Sequence, residues 1–331
     1  MVVDSPPGAD RREFLLRVLR LGGLAAGTTG LGAWLHARSS RPSGPAVVLA
    51  DRRTGVPADP TLPEIVVVQG ESPSVLARRA LDELGGIRRF VARGDVVVVK
   101  PNIGWDRAPE QGANTNPELV AALVTLCREA GARKVIVTDV SCNEARVCFE
   151  HSGIAAAARE AGADVVLPEE RRFREVNLGG DVLTTWPVLE PLLTADKVIN
   201  VPIAKHHSLT GCTLGMKNLY GIIGGQRSRL HQRIHDSLAD LLAFARPTLT
   251  VLDAYRVMMR GGPTGGSLGD VEFRKTLVAG TDPVAIDAYA AKAFWDLEHY
   301  RLPFLRIAQA RGLGTVNFEE VRSRVVQVSE P

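Results

Sequence analysis

Short, almost uninterrupted apolar runs alternate along this chain with helical patterns, and the alternation begins near Glu64. Ile65 to Val68 is a β-branched run closed by Gly70, after which Ser72 caps a helical pattern with Val75, Leu76, Ala80, Leu81 and Leu84 on one side. Val96 to Val99 is apolar at every position and stops at Lys100-Pro101-Asn102. A run of that kind suits the centre of a parallel sheet, where a strand is buried on both faces. A loop rich in Gly, Asn and Pro, from Ile103 to Asn116, leads into a helix predicted over Pro117 to Ala130, with Asn116 as its cap and Gly131 as its stop. Lys134 to Asp139 repeats the apolar strand with a polar end, Gly153 to Ala161 predicts a helix, and Asp164 to Leu167 a third such strand.

Arg171 to Pro191 interrupts the rhythm as a hairpin or excursion, and Lys197 to Val201 resumes it. Beyond lie a helix over Ser237 to Ala245, a strand over Leu249 to Leu252 ended by Asp253, and a glycine-rich loop from Met258 to Asp270. Thr276 to Ala279 predicts a strand, Pro283 to Trp295 a helix, and Val325 to Val328 an edge strand. The repeated strand, loop, helix order predicts an α/β fold with a mainly parallel sheet and helices on both faces; two lobes around a cleft is an arrangement the pattern leaves open.

Upstream the pattern is of another kind. Asp10-Arg11-Arg12-Glu13-Phe14-Leu15-Leu16 precedes a glycine-rich, weakly apolar stretch from Leu21 to Leu35, followed by Arg38 and Arg41. Paired arginines followed by x-Phe-Leu resemble the twin-arginine export signal, which carries folded proteins, often with a cofactor already inserted. Residues 1–41 are therefore expected to be such a signal or an N-terminal membrane anchor, 42–63 a linker rich in Pro, Arg, Gly and Ser, and 64–331 the α/β domain. The expected location is the periplasm or cell envelope, with the twin-arginine machinery as a partner.

Composition narrows the partners. The chain is 45% hydrophobic and 23% charged, as in an ordinary globular protein. A net charge of +3, scattered arginines, 5% aromatic residues and no zinc-finger or RNA-binding signature argue against nucleic acid. Neither a phosphate-binding Gly-x-x-x-x-Gly-Lys-Ser/Thr loop nor a dinucleotide Gly-x-Gly-x-x-Gly is present. The four cysteines lack structural-zinc spacing. Cys127 reads as a small buried apolar residue; Cys142, Cys148 and Cys212 remain open, a disulfide between Cys142 and Cys148 being one alternative.

The densest chemistry lies from Asn200 to His235, which holds four of the seven histidines, Lys205, Lys217, Cys212 and five glycines. Lys100, Asn102, Asp139, Lys205 and Asp253 each follow an apolar strand, and the ends of parallel strands converge on one rim, where α/β sheets bind ligands. Each alone is an ordinary turn former; together they predict a site. Lys100, Lys205, Lys217 and Arg227, with glycine N–H groups nearby, suit a carboxylate or phosphate. For Asp282 and Asp287 a structural role at a helix start is preferred.

Lys100-Pro101-Asn102, Asn200-Val201-Pro202, Lys205-x-His207-x-x-x-Gly211-x-Thr213-x-x-x-Lys217-Asn218-Leu219-x-Gly221, His231, Asp253, Gly262-Pro263 and Thr281-Asp282-Pro283-Val284-Ala285-x-Asp287 resemble the family catalogued as domain of unknown function 362, over about residues 64 to 300. The resemblance implies no defined activity. Many relatives add a ferredoxin-like segment with Cys-x-x-Cys clusters; this chain has none, so an intrinsic iron–sulfur cluster is not expected. The order His207, glycine-containing loop, Lys217, Gly221, His231 is also faintly similar to the lactate racemase family, where it implies histidines near the nickel of a pincer cofactor and a lysine tether.

Catalytic roles accordingly fall to His207, Lys217 and Asp253, and ligand or cofactor contacts to Lys100, Asn102, Lys205, Asn218 and Gly221. Metal contacts, for a bound transition metal or metallocofactor, fall to His207, His231 and His235. A histidine near its ordinary pKa of about 6.5 is a natural proton shuttle and a lysine a natural carboxylate partner. The resulting expectation is an exported enzyme with a His/Lys site for a small carboxylate or other anion. The alternative is an envelope protein that binds a metal or cofactor without turnover.

Overall fold

Residues 55–328 are described by the structure, a computed structural model; the stretch expected to be an export signal or anchor and the first part of the expected linker lie outside the described residues. Chain order gives strands β1 (Ile65–Gln69), β2 (Val96–Pro101), β3 (Lys134–Val137) and β4 (Asp164–Val165), then β5 (Phe173–Asn177) and β6 (Thr185–Leu189). There follow β7 (Lys197–Val201), β8 (Ile203–His207), β9 (Gly211–Thr213), β10 (Leu249–Met258), β11 (Val271–Gly280) and β12 (Ser323–Gln327). The main sheet has the order β12-β1-β11-β10-β7-β2-β3-β4. From β10 through β7, β2 and β3 to β4 every pairing is parallel; β11 runs antiparallel to both of its neighbours.

Alternation of side chains across the pleat explains why the strands read as unbroken apolar runs. Val98, Val198, Leu252 and Val278 pack on one face with helices Ile234–Ala245, Pro283–Trp295 and Pro303–Ala310. Val97, Val99, Ile199 and Val251 pack on the other with Pro73–Glu83, Pro117–Glu129 and Ile154–Glu160. Each strand thus needs an apolar residue at every position, not every second one. Two helix starts are built as their caps predict, whereas Ser72 stands at the N-cap of Pro73–Glu83 without a side-chain cap bond, its hydroxyl donating to Glu118. Asn116 accepts from Glu118 N at 2.9 Å, and Asp282 accepts from Val284 N at 2.8 Å and Ala285 N at 3.0 Å.

Three features depart from the sequence expectation. Asp253 sits inside β10, which continues past it through a register shift between Ala254 and Arg256. The segment after Pro202 forms a hairpin: β8 pairs in parallel with β10 and antiparallel with β9, so the histidine-rich stretch stands on the carboxyl edge of the sheet. An additional helix, Ala145–His151, is capped by Glu144, whose carboxylate takes the N–H groups of Arg146 and Val147. The excursion after Arg171 is the β5–β6 hairpin; Val188 bridges Ile223, and Trp186 Nε1 donates to Gly224 O at 2.9 Å. Val56 and Pro63 already pack or are buried, so contacts with the domain begin before Glu64.

This two-faced burial predicts opposite responses in two strands. Leu252→Ala, at a fully buried position of β10, should cost roughly 2–5 kcal/mol in urea unfolding. Val325→Ala on the edge strand, 65% exposed, should stay within about 0.5 kcal/mol. A large loss at Val325 would contradict the edge placement of β12.

Candidate functional site

At the carboxyl end of β2 the side chain of Lys100 is fully buried, with three oxygen atoms close to its ammonium group. Nζ lies 2.7 Å from Asp139 Oδ1, 2.9 Å from Pro101 O and 3.1 Å from Asn218 Oδ1. Burial presses the Lys100 pKa down while Asp139 opposes it. Asp139, just past β3, also accepts Ile103 N at 2.6 Å through Oδ2; Oδ1 meets Lys100 as an ion pair without an aligned hydrogen bond. The pair therefore ties together β2, β3 and the short helix Gly215–Asn218.

An amide relay extends from it. Asn218 donates to Asn200 Oδ1 at 2.9 Å and accepts from Asn102 Nδ2 at 3.0 Å; Asn102 Oδ1 in turn accepts Lys205 Nζ at 3.0 Å. Lys205, 2% exposed on β8, also donates to Ala113 O at 2.6 Å, which leaves one of its three N–H donors unspent. Burial, with neighbouring Lys217 and Lys100, lowers its pKa to about 7. The helix that carries Lys217 and Asn218 is held by Asp287, whose oxygens accept Gly215 N at 2.6 Å and Met216 N at 2.8 Å. Burial raises the Asp287 pKa to about 7 against those bonds. Asp287 is thus a positioning residue, as the helix-start reading of its region anticipated in kind.

Above this floor opens a cavity of about 640 Å³. Asn102, Lys205, His207, Lys217, Asn218 and Gly221 line it, joined by His231. Its other walls come from Trp105, Asp139, Cys142, Thr213, Tyr220 and Arg227. Lys217 Nζ stands 4.0 Å over the Tyr220 ring, and His231 stacks on the same ring at 5.9 Å between centroids. Burial, assisted by Arg227 and Lys100, lowers the Lys217 pKa to about 8. Arg227 closes one side, donating to Val140 O at 2.8 Å and to Ser141 O at 2.5 Å.

His207 is held in one tautomer. Its Nδ1 accepts the N–H groups of Leu209 at 3.1 Å and Thr210 at 3.4 Å, so the neutral ring carries its proton on Nε2. Burial first, then Lys217 and Lys205, lowers its pKa to about 3, which keeps the ring neutral at ordinary pH. It offers a hydrogen-bond donor to a ligand, and it is too weakly basic to shuttle protons near neutrality.

Three residues expected at the site do not line the cavity; Lys100, expected to contact the ligand, is fully buried beneath it in the pair with Asp139. Asp253, 2% exposed, accepts Asn116 N at 2.7 Å and Tyr255 N at 3.0 Å, and burial raises its pKa to about 6. It anchors the cap of the helix Pro117–Glu129 and does not line the cavity. His235 stacks on Phe304 at 6.1 Å, away from the cavity lining. A spacing of four residues from His231 does not put both on one helix face, because His231 belongs to the 3-10 segment Arg227–Arg233 and His235 to the helix that follows. Among the described residues no group of three or more His, Cys, Asp or Glu is placed to hold a metal ion. All four cysteines are free thiols, so Cys142 and Cys148 are not joined. Tyr220 and Trp105 carried no signal in the sequence beyond their nearness to the histidine-rich stretch and the Lys100 loop, and Thr213 appeared only as a member of the family motif.

The fold and this rim define an α/β protein with a cation-lined cavity beyond the carboxyl ends of its parallel strands. The chain belongs to the family described as Domain of unknown function (DUF362), which matches residues 97–292 and so includes every cavity residue named above. It is similar to the Thylakoid-associated protein sll1697 of Synechocystis sp., at 28% identity over 253 residues, 73% of this chain and 77% of the relative. Among solved structures it resembles the lactate racemase apoprotein from Thermoanaerobacterium thermosaccharolyticum, with a TM-score of 0.40 and 10% identity. That likeness spans 74% of this chain and 60% of the racemase chain, and at such a score it says nothing about the chemistry of the site.

Gly221 is the point at which chain and ion pair touch. A Cβ there would lie 1.8 Å from Asp139 Oδ1 and 2.7 Å from Lys100 Nζ. Gly221→Ala should therefore destabilise the protein by about 1–3 kcal/mol, whereas Gly104→Ala, whose nearest neighbour is 3.4 Å away, should be tolerated. Urea midpoints for the two variants check this; equal midpoints would contradict the contact.

Proposed function

We propose that the cavity binds a small carboxylate- or phosphate-bearing molecule and that the protein acts on it through Lys217 and His207. One observation carries the reading: Lys205, Lys217 and Arg227 line one cavity in which Asp139, the only carboxylate among the described lining residues, is already engaged by Lys100. A unit charge ~4 Å from another is worth about 4 kcal/mol at an effective dielectric of 20, so even one well-placed cation outweighs a neutral hydrogen bond of about 1 kcal/mol. Lys205 and Arg227 neutralise the anion in this reading. Lys217, with a pKa near 8, exchanges a proton with the bound molecule, and His207 donates from Nε2 to one of its oxygens.

The same donor set suits a bare metal ion poorly. The His207 ring presents N–H rather than a lone pair at Nε2, ammonium groups surround it, and His235 is elsewhere. A transition metal fits this cavity only as part of an anionic chelate, for which Lys205, Lys217 and Arg227 supply the charge. The second reading, binding without turnover, is favoured by the absence of a free carboxylate among the cavity residues. Location belongs to the proposal too. The Arg11-Arg12-x-Phe14-Leu15 pattern supports export by the twin-arginine machinery to the envelope, with the N-terminal segment as a membrane anchor. The thylakoid association stated in the relative's name fits a site close to a membrane.

Because Lys205 and Lys217 lose their charge near pH 7 and 8, anion affinity should fall steadily between about pH 6 and pH 9. Calorimetric titration with phosphate and with oxalate measures it. Lys217→Met should weaken binding about tenfold, or roughly 1.4 kcal/mol. Affinity that is flat with pH, or no binding of either anion, would contradict the proposal.

A further inference from the structure

The wall of the cavity opposite β8 is the loop that follows β3, and it is pinned from two sides. Cys142 N donates to Gly104 O at 2.8 Å, Ser141 Oγ to Ile103 O at 2.5 Å, and Arg227 to Val140 O and Ser141 O. The backbone at Cys142 is thus held at a fixed place in the cavity wall, and Cys142 is the exposed one among the cysteines. Cys127, Cys148 and Cys212 are buried, and burial pushes each of those thiols upward in pKa, Cys127 to about 12. Cys142 shares the lining of this cavity with the cationic side chains of Lys205, Lys217 and Arg227. Thr213, 3% exposed, lines the same cavity, and its hydroxyl has no hydrogen-bond partner. Buried hydroxyls are normally paired, so this one marks a place for a ligand's polar atom.

We propose that Cys142 is the nucleophile of this cavity, adding to the carbonyl carbon of a small aldehyde or ketone that carries a carboxylate or phosphate held by Lys205 and Arg227. The proposal rests on the reading of the cavity as an anion site. The step balances without an outside reagent. The thiol proton passes to the neutral amine of Lys217, the sulfur electron pair forms the S–C bond, and the carbonyl π pair moves to oxygen. That oxygen receives the proton back from Lys217 while His207 Nε2–H bonds to it. The sum adds S–H across C=O, and nothing is oxidised or reduced. A thiolate is the reactive form of cysteine, and fixed cations beside an exposed thiol are the surroundings in which reactive cysteines occur.

The test treats the folded full-length protein at about pH 7.5 with limiting iodoacetate or iodoacetamide, reagents of similar size that differ in charge. Each forms an S–C bond with loss of iodide, and mass spectrometry of the Cys142 peptide gives the rates, with glutathione as reference and Cys142→Ser to assign the label. Cys142 should react with iodoacetate about tenfold or more faster than glutathione does, and should favour iodoacetate over iodoacetamide about tenfold more strongly than glutathione. Lys217→Met should lower that preference. Rates equal to those of glutathione with both reagents overturn the proposal, and phosphate binding by the same sample then shows that the anion site stands without a nucleophile. A glutathione-like preference together with absent phosphate binding overturns the anion reading and the proposal with it.

Discussion

The rim of this protein depends on the buried ion pair of Lys100 and Asp139. Two charges removed from water cost several kcal/mol each, and their attraction offsets that only when the remaining donors and acceptors are also satisfied. Here Lys100 spends its other donors on Pro101 O and Asn218, and Asp139 takes Ile103 N. Each of these partners lies on a different segment, so keeping the pair satisfied fixes the end of β2, the loop after β3 and the helix Gly215–Asn218 relative to one another. The chain at Gly221 must pass so close to the pair that no side chain fits.

Self-neutralisation of that pair decides the charge of what lies above it. With Asp139 committed to Lys100, the cavity retains Lys205, Lys217 and Arg227 without a compensating carboxylate. Burial lowers the two lysine pKa values, to about 7 and about 8, and the cations near each lysine lower them further. An anionic ligand relieves that repulsion, and the same cations that hold it also bear on Cys142 and His207. The proposed binding and the proposed reactivity of this cavity thus share one electrostatic origin.

Much of the fold was legible because burial on both faces of the sheet demands unbroken apolar strands, and because Asn116 and Asp282 announce helix starts that they do cap. The β8–β9 hairpin escaped notice because Ile203–His207 is short, polar-ended and separated from β7 only by Pro202. Asp253 resembled a strand end because polarity at that position comes from a buried carboxylate binding backbone N–H groups, which apolar patterning does not register. Within the site, Lys205, His207, Lys217 and His231 were visible through residue type and clustering. Asp287 was read as structural, but the element it holds was not legible, since that depends on a contact with Gly215, 72 residues earlier. Asp139 appeared only as a polar strand end, its partner Lys100 being on a separate strand.

An NMR titration of the lysine side chains tests the central claim most directly. A cation-crowded cavity predicts two lysines that titrate near pH 7 and pH 8, assigned through Lys205 and Lys217 variants, both moving upward when phosphate is added. Lysines that all titrate near the ordinary 10.5, with no response to phosphate, would contradict it.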